Sequence, residues 1–295
     1  MIQHFRFGSP IRTDSVVQDI PVSSDAVPFL TADADGWVYT MAPDAIVYGL
    51  GEMPRGINKR GWHYVANNTD ESHHGENKVS YYGAHNFLLI DGGPGGDLFG
   101  VFVDFPGKVH YDIGYTVHDT LRFATEEPDY ELYILTGADP NDIAHQFRQL
   151  IGRSYIPPTW AFGLQQSRWG YKTAEDVREV ARQYKENDLP LDMICMDIDY
   201  MQDYADFTIN KERFPDLAAL AAELKAQGIR LVPIIDAGVR IDPEEPTCTE
   251  GLEKGYFCKK EDGTPFVAAV WPGKAYFADF LRPEVRAWFG HRYKV

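Results

Sequence analysis

The pattern of apolar and turn residues changes once along the chain, near residue 160, and this change constrains the fold most. Up to about Gly137, short runs such as GWVYTM and YELYIL are separated by turn residues, which is typical of an antiparallel β-sandwich. From Trp160 onward, strand-like and helix-like segments alternate, which predicts a parallel sheet with crossover helices. Because no phosphate-binding glycine motif follows the first of these strands, a nucleotide-binding fold is disfavoured. A doubly wound sheet and a (β/α) barrel both fit this alternation.

A chain of 295 residues is long enough for two domains. Asp139 and Pro140 have the chemistry of a helix start, and the paired prolines of GRSYIPP suit a rigid connection after that helix. The predicted organisation is an antiparallel β-sandwich at residues 1–138, a linker helix with its Pro-rich connection at residues 139–158, and a unit of alternating strands and helices at residues 159–295.

Charge and cysteine content exclude several classes of protein. A formal charge of −16 opposes nucleic acid and anionic membranes, because binding to a polyanion needs clustered Lys and Arg. The sequence contains 3 cysteines, too few for a disulfide framework, and no apolar stretch of membrane-spanning length. We therefore expect a cytoplasmic protein with no nucleic-acid partner and no membrane partner; a homo-oligomer is left open.

Acids and indoles follow the ends of the predicted strands. ICMDIDYM, residues 194–201, begins as a buried strand, and strand alternation predicts that Asp197 and Asp199 point the same way, about 6.6 Å apart at ~3.3 Å per residue. Trp169 follows the first strand and Asp236 the third, and a long loop beyond it carries Trp271. In a barrel these strand ends form the face on which active sites are built.

Each of these residues has a plainer interpretation when it is considered alone. A carboxylate can cap the next loop, and an indole can belong to the core. Asp197 and Asp199 also resemble the carboxylate pair of a retaining glycosidase, but neighbours on one strand approach a ligand from one side, whereas that chemistry flanks the scissile bond. We therefore predict that Asp197 accepts hydrogen bonds from sugar hydroxyls, and that Asp199 supports the loop or pairs with Arg168.

Two polar features of the N-terminal part carry weaker signals. His73 and His74 are adjacent in a polar loop without a second cluster of ligands, so a metal site is not expected. Asp70 in YVANNTDE has, by its local sequence, the chemistry of a turn residue.

Many segments in fixed order carry a family resemblance. From about Ile46 to the last residue the chain resembles glycoside hydrolase family 31, chiefly its bacterial α-glucosidases, whereas the first 45 residues match only loosely. The segments are IVYGLGE, NNTD, YGAHNF, IPPTWAFGLQQSRWGY, MDIDYM, DFTINKERFPD, LVPIIDAG and AAVWPGKAYFADF.

The resemblance implies a fold, an activity and a set of roles. The fold is a β-sandwich followed by a (β/α)8 barrel, of which residues 159–295 would be the truncated first part, with the first three βα units. The activity is cofactor-free, metal-free removal of a terminal α-linked glucose with retention. Asp197 is similar to the acid that holds hydroxyls of the departing glucose. Ile198 and Ile234 resemble apolar walls of the same pocket, and Asp236 and Trp271 resemble its floor and wall.

Two more positions match less directly, and two motifs are missing. Trp169 stands where the family places an aromatic ring, and Asp70 is similar to an acid that the sandwich extends into the pocket on a loop. Ala278 replaces a proline that is usual in the family, which should loosen that loop. Neither the family's nucleophile motif, WNDMNE-like and following the fourth barrel strand, nor its acid/base motif occurs in the sequence.

These comparisons with the family lead to one hypothesis and one alternative. The chain is expected to be a truncated, inactive piece of a retaining exo-acting α-glucosidase whose partner is a small α-glucoside or oligosaccharide. The alternative is a non-catalytic carbohydrate-binding or partner-binding module. A coding region that continues downstream into the missing motif would favour truncation, and a natural stop would favour the module.

Overall fold

The computed structural model describes residues 1–294, which form two compact units, Met1–Ser154 and the residues from Tyr155 onward. Among the residues described, no helix combines the length and the apolar character needed to cross a membrane. Each unit has hydrophobic clusters of its own.

Two five-stranded antiparallel sheets make up most of the first unit. In chain order the strands are β1 (Ile2–Phe7), β2 (Thr31–Asp33), β3 (Gly36–Thr40), β4 (Ile46–Gly51), β5 (Trp62–Ala66), β6 (Ala84–Asp91), β7 (Leu98–Asp104), β8 (Val109–Ile113), β9 (Thr120–Thr125) and β10 (Tyr130–Thr136). One sheet has the order β1-β10-β7-β6-β4 and the other the order β2-β3-β9-β8-β5.

Residue alternation explains how the two sheets share one core. In β8, Val109, Tyr111 and Ile113 are buried while His110 between them is exposed, as expected when successive side chains point to opposite faces. The same cluster contains Leu132 and Ile134 from the other sheet. The antiparallel β-sandwich predicted for the N-terminal residues is confirmed.

Helix α1 (Pro140–Leu150) covers the outer face of the first sheet. Asp139 caps it, because the Asp139 side chain accepts a hydrogen bond from the Asp142 backbone N–H at 2.9 Å. Ile143 and Leu150 are fully buried in a cluster with residues of that sheet. The helix predicted after Asp139 is therefore present and packs within the first unit, whose last residue is Ser154.

The second unit begins with strand and helix alternation. Strands β11 (Gln165–Arg168), β12 (Met193–Met196) and β13 (Arg230–Pro233) pair in parallel, and the helices between them are α2 (Ala174–Glu186) and α3 (Leu217–Ala226). Thr173 and Asp176 form a capping box at the start of α2. The predicted parallel sheet is confirmed; the number of barrel units stays a prediction.

The segment after β13 is more ordered than the long loop that we expected. Strands β14 (Gly238–Arg240), β15 (Val267–Val270) and β16 (Gly273–Phe277) form an antiparallel sheet, accompanied by α4 (Pro246–Glu253) and α5 (Pro283–Arg292). Val239, Phe257 and Trp288 belong to its core. Ala278 is buried there and bridges to Phe257, so packing restrains this position.

The packing of α1 gives a first prediction. Ile143→Ala should lower the free energy of unfolding of the first unit by about 2–5 kcal/mol, because it removes a fully buried side chain and leaves a cavity. Denaturant unfolding of the variant measures this loss. Arg148→Ala, at an exposed position of the same helix, is the matched control. Equal stability of the two variants would show that α1 is a linker and not part of the core.

The edges of the parallel sheet give a second prediction. Among the residues described, β11 and β13 each lack a partner on one side, and Phe162 and Leu164 nearby are 74% and 44% exposed. Strands at an unpaired sheet edge unfold locally more easily than strands that are paired on both sides. Limited proteolysis, read by mass spectrometry, should cut first beyond about Pro158 and leave a resistant fragment that ends near Gly152. Uniform protection, with one reversible unfolding transition, would contradict this.

Candidate functional site

A pocket of about 590 Å³ lies at the carboxyl ends of the parallel strands. Six of the seven side chains that the sequence predicts for substrate binding line it together. The full lining is Trp169, Asp197, Ile198, Tyr204, Ile234, Asp236, Trp271 and Pro272.

The end of β12 determines how Asp197 enters this pocket. The strand stops at Met196, and Ile198–Tyr200 forms a 3₁₀ turn for which Asp197 is the N-cap. Asp197 Oδ1 accepts a hydrogen bond from the Ile198 backbone N–H at 2.7 Å. Strand alternation therefore does not extend through the motif, and the prediction that Asp197 and Asp199 point the same way is wrong.

Asp199 lies inside the protein. It is 2% exposed; its Oδ1 accepts a long hydrogen bond of 3.5 Å from the Tyr204 hydroxyl, and among the described residues its Oδ2 has no hydrogen-bond partner. Arg168 is exposed at the end of β11, and within residues 1–294 it neither forms an ion pair with Asp199 nor donates to the unpartnered Oδ2 of that acid. Support of the loop by Asp199 stays a prediction.

Asp236 follows β13 and is held through its backbone. The Asp236 N–H donates to Asp206 Oδ1 at 2.9 Å. Just before it, the Ile234 N–H donates to the Met196 carbonyl at 3.0 Å, and the Tyr200 hydroxyl donates to the Ile234 carbonyl at 2.7 Å. Burial raises the pKa of Asp236, and the negative charge of Asp197 raises it further. The two carboxylates therefore interact electrostatically.

The two carboxylates of the pocket have acceptor oxygens that no donor of the described residues occupies. Within the described part of the chain, no hydrogen bond reaches the Asp236 carboxylate or Oδ2 of Asp197. Beside these acids lie two large indoles, Trp271 and Trp169, which are 89% and 66% exposed. Carboxylate oxygens accept hydrogen bonds from hydroxyl groups, and an exposed ring offers a flat apolar surface. This arrangement suits a neutral, hydroxyl-rich ligand.

Sequence reasoning missed three residues of this region. Tyr204 and Pro272 line the pocket, and Asp206, 3% exposed, supports Asp236 from below. Asp206 belongs to the segment DFTINKERFPD that contributed to the family resemblance. No local pattern, however, distinguishes a buried aspartate from the exposed Asp203 in the same loop.

The remaining predicted residue, Asp70, lies in the first unit, exposed on the loop between β5 and β6. The pKa of Tyr82 is raised chiefly by a hydrogen bond with Asp70. His74 packs against the rings of Tyr81 and Tyr82. Across residues 1–294, no group of three or more His, Cys, Asp or Glu side chains has the arrangement of a metal site.

Comparison with known proteins adds sequence relatives for both units. The model of the glycosyl hydrolases family 31 TIM-barrel domain matches residues 154–295, and that of the glycosyl hydrolase 31 N-terminal galactose mutarotase-like domain matches residues 21–112. Alpha-glucosidase 2 of Bacillus thermoamyloliquefaciens is 39% identical over 249 residues, which are 84% of this chain and 31% of that protein. Alpha-xylosidase 1 of Arabidopsis thaliana is 30% identical over 262 residues, 86% of this chain and 28% of that protein.

A solved structure agrees with these sequence matches. The dextranase of the same family from Flavobacterium johnsoniae, in complex with isomaltotriose, superposes with a TM-score of 0.77 at 25% identity, over 91% of this chain and 33% of that one. The chain thus spans about a third of the length of these relatives.

The two family models together match most of the chain, one in each unit. The relatives whose matches extend over both units are an alpha-glucosidase, an alpha-xylosidase and a dextranase. On these grounds, the protein belongs to glycoside hydrolase family 31.

Proposed function

We propose that residues 1–295 form the N-terminal part of a retaining, exo-acting α-glucosidase that removes terminal α-linked glucose from short oligosaccharides. The observation that carries this proposal is the pocket in which Asp197, Asp236 and Trp271 meet at the strand ends. Sequence similarity to an alpha-glucosidase at 39% identity supports glucose as the sugar.

Hydrogen bonding explains how such a pocket would select a sugar. Oδ2 of Asp197 and the carboxylate of Asp236 need donors, and a glucose ring offers several hydroxyl groups. Each hydrogen bond to a charged carboxylate contributes about 1.5–3 kcal/mol. Trp169 and Trp271 would cover the apolar faces of the ring, and Ile198 and Ile234 would exclude water from its edge.

The catalytic carboxylates have to come from elsewhere. A retaining glycosidase uses two carboxyl groups on opposite sides of the scissile bond, about 5–5.5 Å apart. Asp197 and Asp236 follow neighbouring strands of one sheet, and Asp197 Oδ1 is occupied by the Ile198 N–H. Because neither catalytic motif of the family occurs in residues 1–295, we assign binding to this chain and no hydrolysis.

The whole enzyme is proposed to act in the cytoplasm on a small α-glucoside, without a cofactor. Cys195, Cys248 and Cys258 carry free thiols, which suits a reducing compartment. Asp70 is proposed to contact the same sugar from the sandwich, as the family resemblance implies.

A third prediction concerns activity. Purified residues 1–295 should release no glucose from p-nitrophenyl α-glucoside, because binding carboxylates alone provide neither a nucleophile nor a placed acid. Release of p-nitrophenol is followed by absorbance, and bound glucose by NMR titration. Hydrolysis that disappears in Asp197→Asn would overturn the assignment. Absence of sugar binding together with absence of hydrolysis would favour a partner-binding module.

A fourth prediction concerns Asp197 in an enzyme with its complete barrel. Asp197→Ala should lower kcat/KM for maltose by more than tenfold, about 1.4 kcal/mol or more, since it removes hydroxyl contacts that strengthen in the transition state. Asp199→Ala, at a buried position, should mainly lower the melting temperature. Asp203→Asn, at an exposed acid of the same loop, is the control. Unchanged kinetics in Asp197→Ala would remove its proposed role.

A further inference from the structure

The loop of residues 201–208, which follows the 3₁₀ turn after β12, is strained. Asp203, Tyr204 and Phe207 have φ angles of 49°, 61° and 62°, in the left-handed region that residues with a side chain rarely occupy. Such backbone persists only where surrounding contacts hold it, and it is concentrated at functional sites. Tyr204 of this loop lines the sugar pocket.

Several contacts hold the loop in this conformation. The Gln202 N–H donates to Thr208 Oγ1 at 2.9 Å, and the Arg240 guanidinium donates to the Asp203 carbonyl. The Phe207 ring packs edge-on against Phe289, with centroids 5.1 Å apart. One contact connects the loop to the pocket: the Asp236 backbone N–H donates a hydrogen bond to Asp206.

Asp206 is a buried acid without a counter-charge. It is 3% exposed, its Oδ2 has no hydrogen-bond partner, and within residues 1–294 it forms no ion pair. The titratable groups that face it are Asp236 after β13, Glu245 at the start of α4, and Tyr200 in the 3₁₀ turn. The two acids repel a negative charge on Asp206, and burial penalises it as well.

We propose that Asp206 is a positioning residue for the sugar pocket: it accepts the Asp236 N–H in either charge state and so holds that backbone, but on ionisation it repels the Asp236 carboxylate and disturbs the loop that carries Tyr204. A neutral acid keeps the hydrogen bond from the Asp236 N–H and does not repel the Asp236 carboxylate. An ionised one draws water into the loop that carries Tyr204. The inference rests on the proposed function in so far as the ligand of the pocket is a sugar.

The electrostatics agree with this geometry. Burial, above all, raises the pKa of Asp206 to about 7; the Asp236 N–H lowers it, and the charges of Asp236 and Glu245 raise it. An acid whose pKa is raised on folding stabilises the fold fully only below its unfolded pKa of 3.8. This contribution to the free energy of unfolding falls as pH rises from 3.8 towards about 7. Above that pH, ionisation of Asp206 no longer changes the stability.

The fifth prediction tests this with the full chain and D-glucose as the probe. Between about pH 5.5 and pH 8.5, the wild-type protein should bind glucose about fivefold more weakly at the alkaline end, a coupling of ordinary size. Asp206→Asn, which keeps the acceptor for the Asp236 N–H but cannot ionise, should bind with the same affinity at both ends. Asp206→Ala should bind weakly throughout, and Asp203→Asn should behave as wild type.

Two measurements do not depend on sugar binding. The melting temperature of the wild type, relative to that of Asp206→Asn, should fall as pH rises from about 4.5 to about 7 and then level off. Carbon-13 NMR should place the titration of the Asp206 carboxyl near pH 7, with a simultaneous shift of the Asp236 amide signal. The NMR titration uses the wild-type chain and therefore stands if a variant fails to fold.

The outcomes separate this inference from the proposed function. If glucose does not bind at any pH while both sugar-independent profiles appear, the sugar assignment fails and the role of Asp206 holds. If glucose binds equally at all pH values in wild type and Asp206→Asn, and the Asp236 amide does not respond near pH 7, the role of Asp206 is wrong.

Discussion

The parallel register of three short strands is the constraint on which the site depends. β11 and β12 pair with Arg168 opposite Met196, and β12 and β13 pair with Met196 opposite Pro233. The residues that follow these positions therefore emerge at one edge of the sheet. Trp169 and Asp197 come directly after their strands, and Asp236 follows three residues after Pro233. A shift of one residue in either pairing would move these side chains away from one another.

The electrostatic character of the pocket follows from that placement. Asp197 and Asp236 are close enough for the charge of one to raise the pKa of the other, and Asp206 adds a third carboxyl beneath them. Two like charges at one site are tolerated because water reaches both, and hydroxyl donors of a ligand can replace that water. The buried acid lacks this option, so it gains most from keeping its proton.

The two units meet the demands of folding in different ways. The sandwich of the first unit closes its core between two sheets, and α1 covers a further apolar face. In the second unit the residues described place helices and a small antiparallel sheet around three parallel strands, while large rings such as Phe162 and Trp271 stay exposed. Exposed rings beside a pocket are accessible to a ligand, whereas exposed rings along a sheet edge make that part of the chain easier to open.

Sequence alone determined the class of each unit, the helix start at Asp139, and six of the eight side chains that line the pocket. These follow from local periodicity, capping chemistry and ordered motifs, all of which are encoded in neighbouring residues. Tertiary structure alone decided the rest. The end of β12 at Met196 turned Asp199 inward, and the fold of residues 201–208 buried Asp206 beneath Asp236 while Asp203 stayed at the surface. Nothing in the local sequence distinguishes these acids, because burial depends on which distant residues pack against each one.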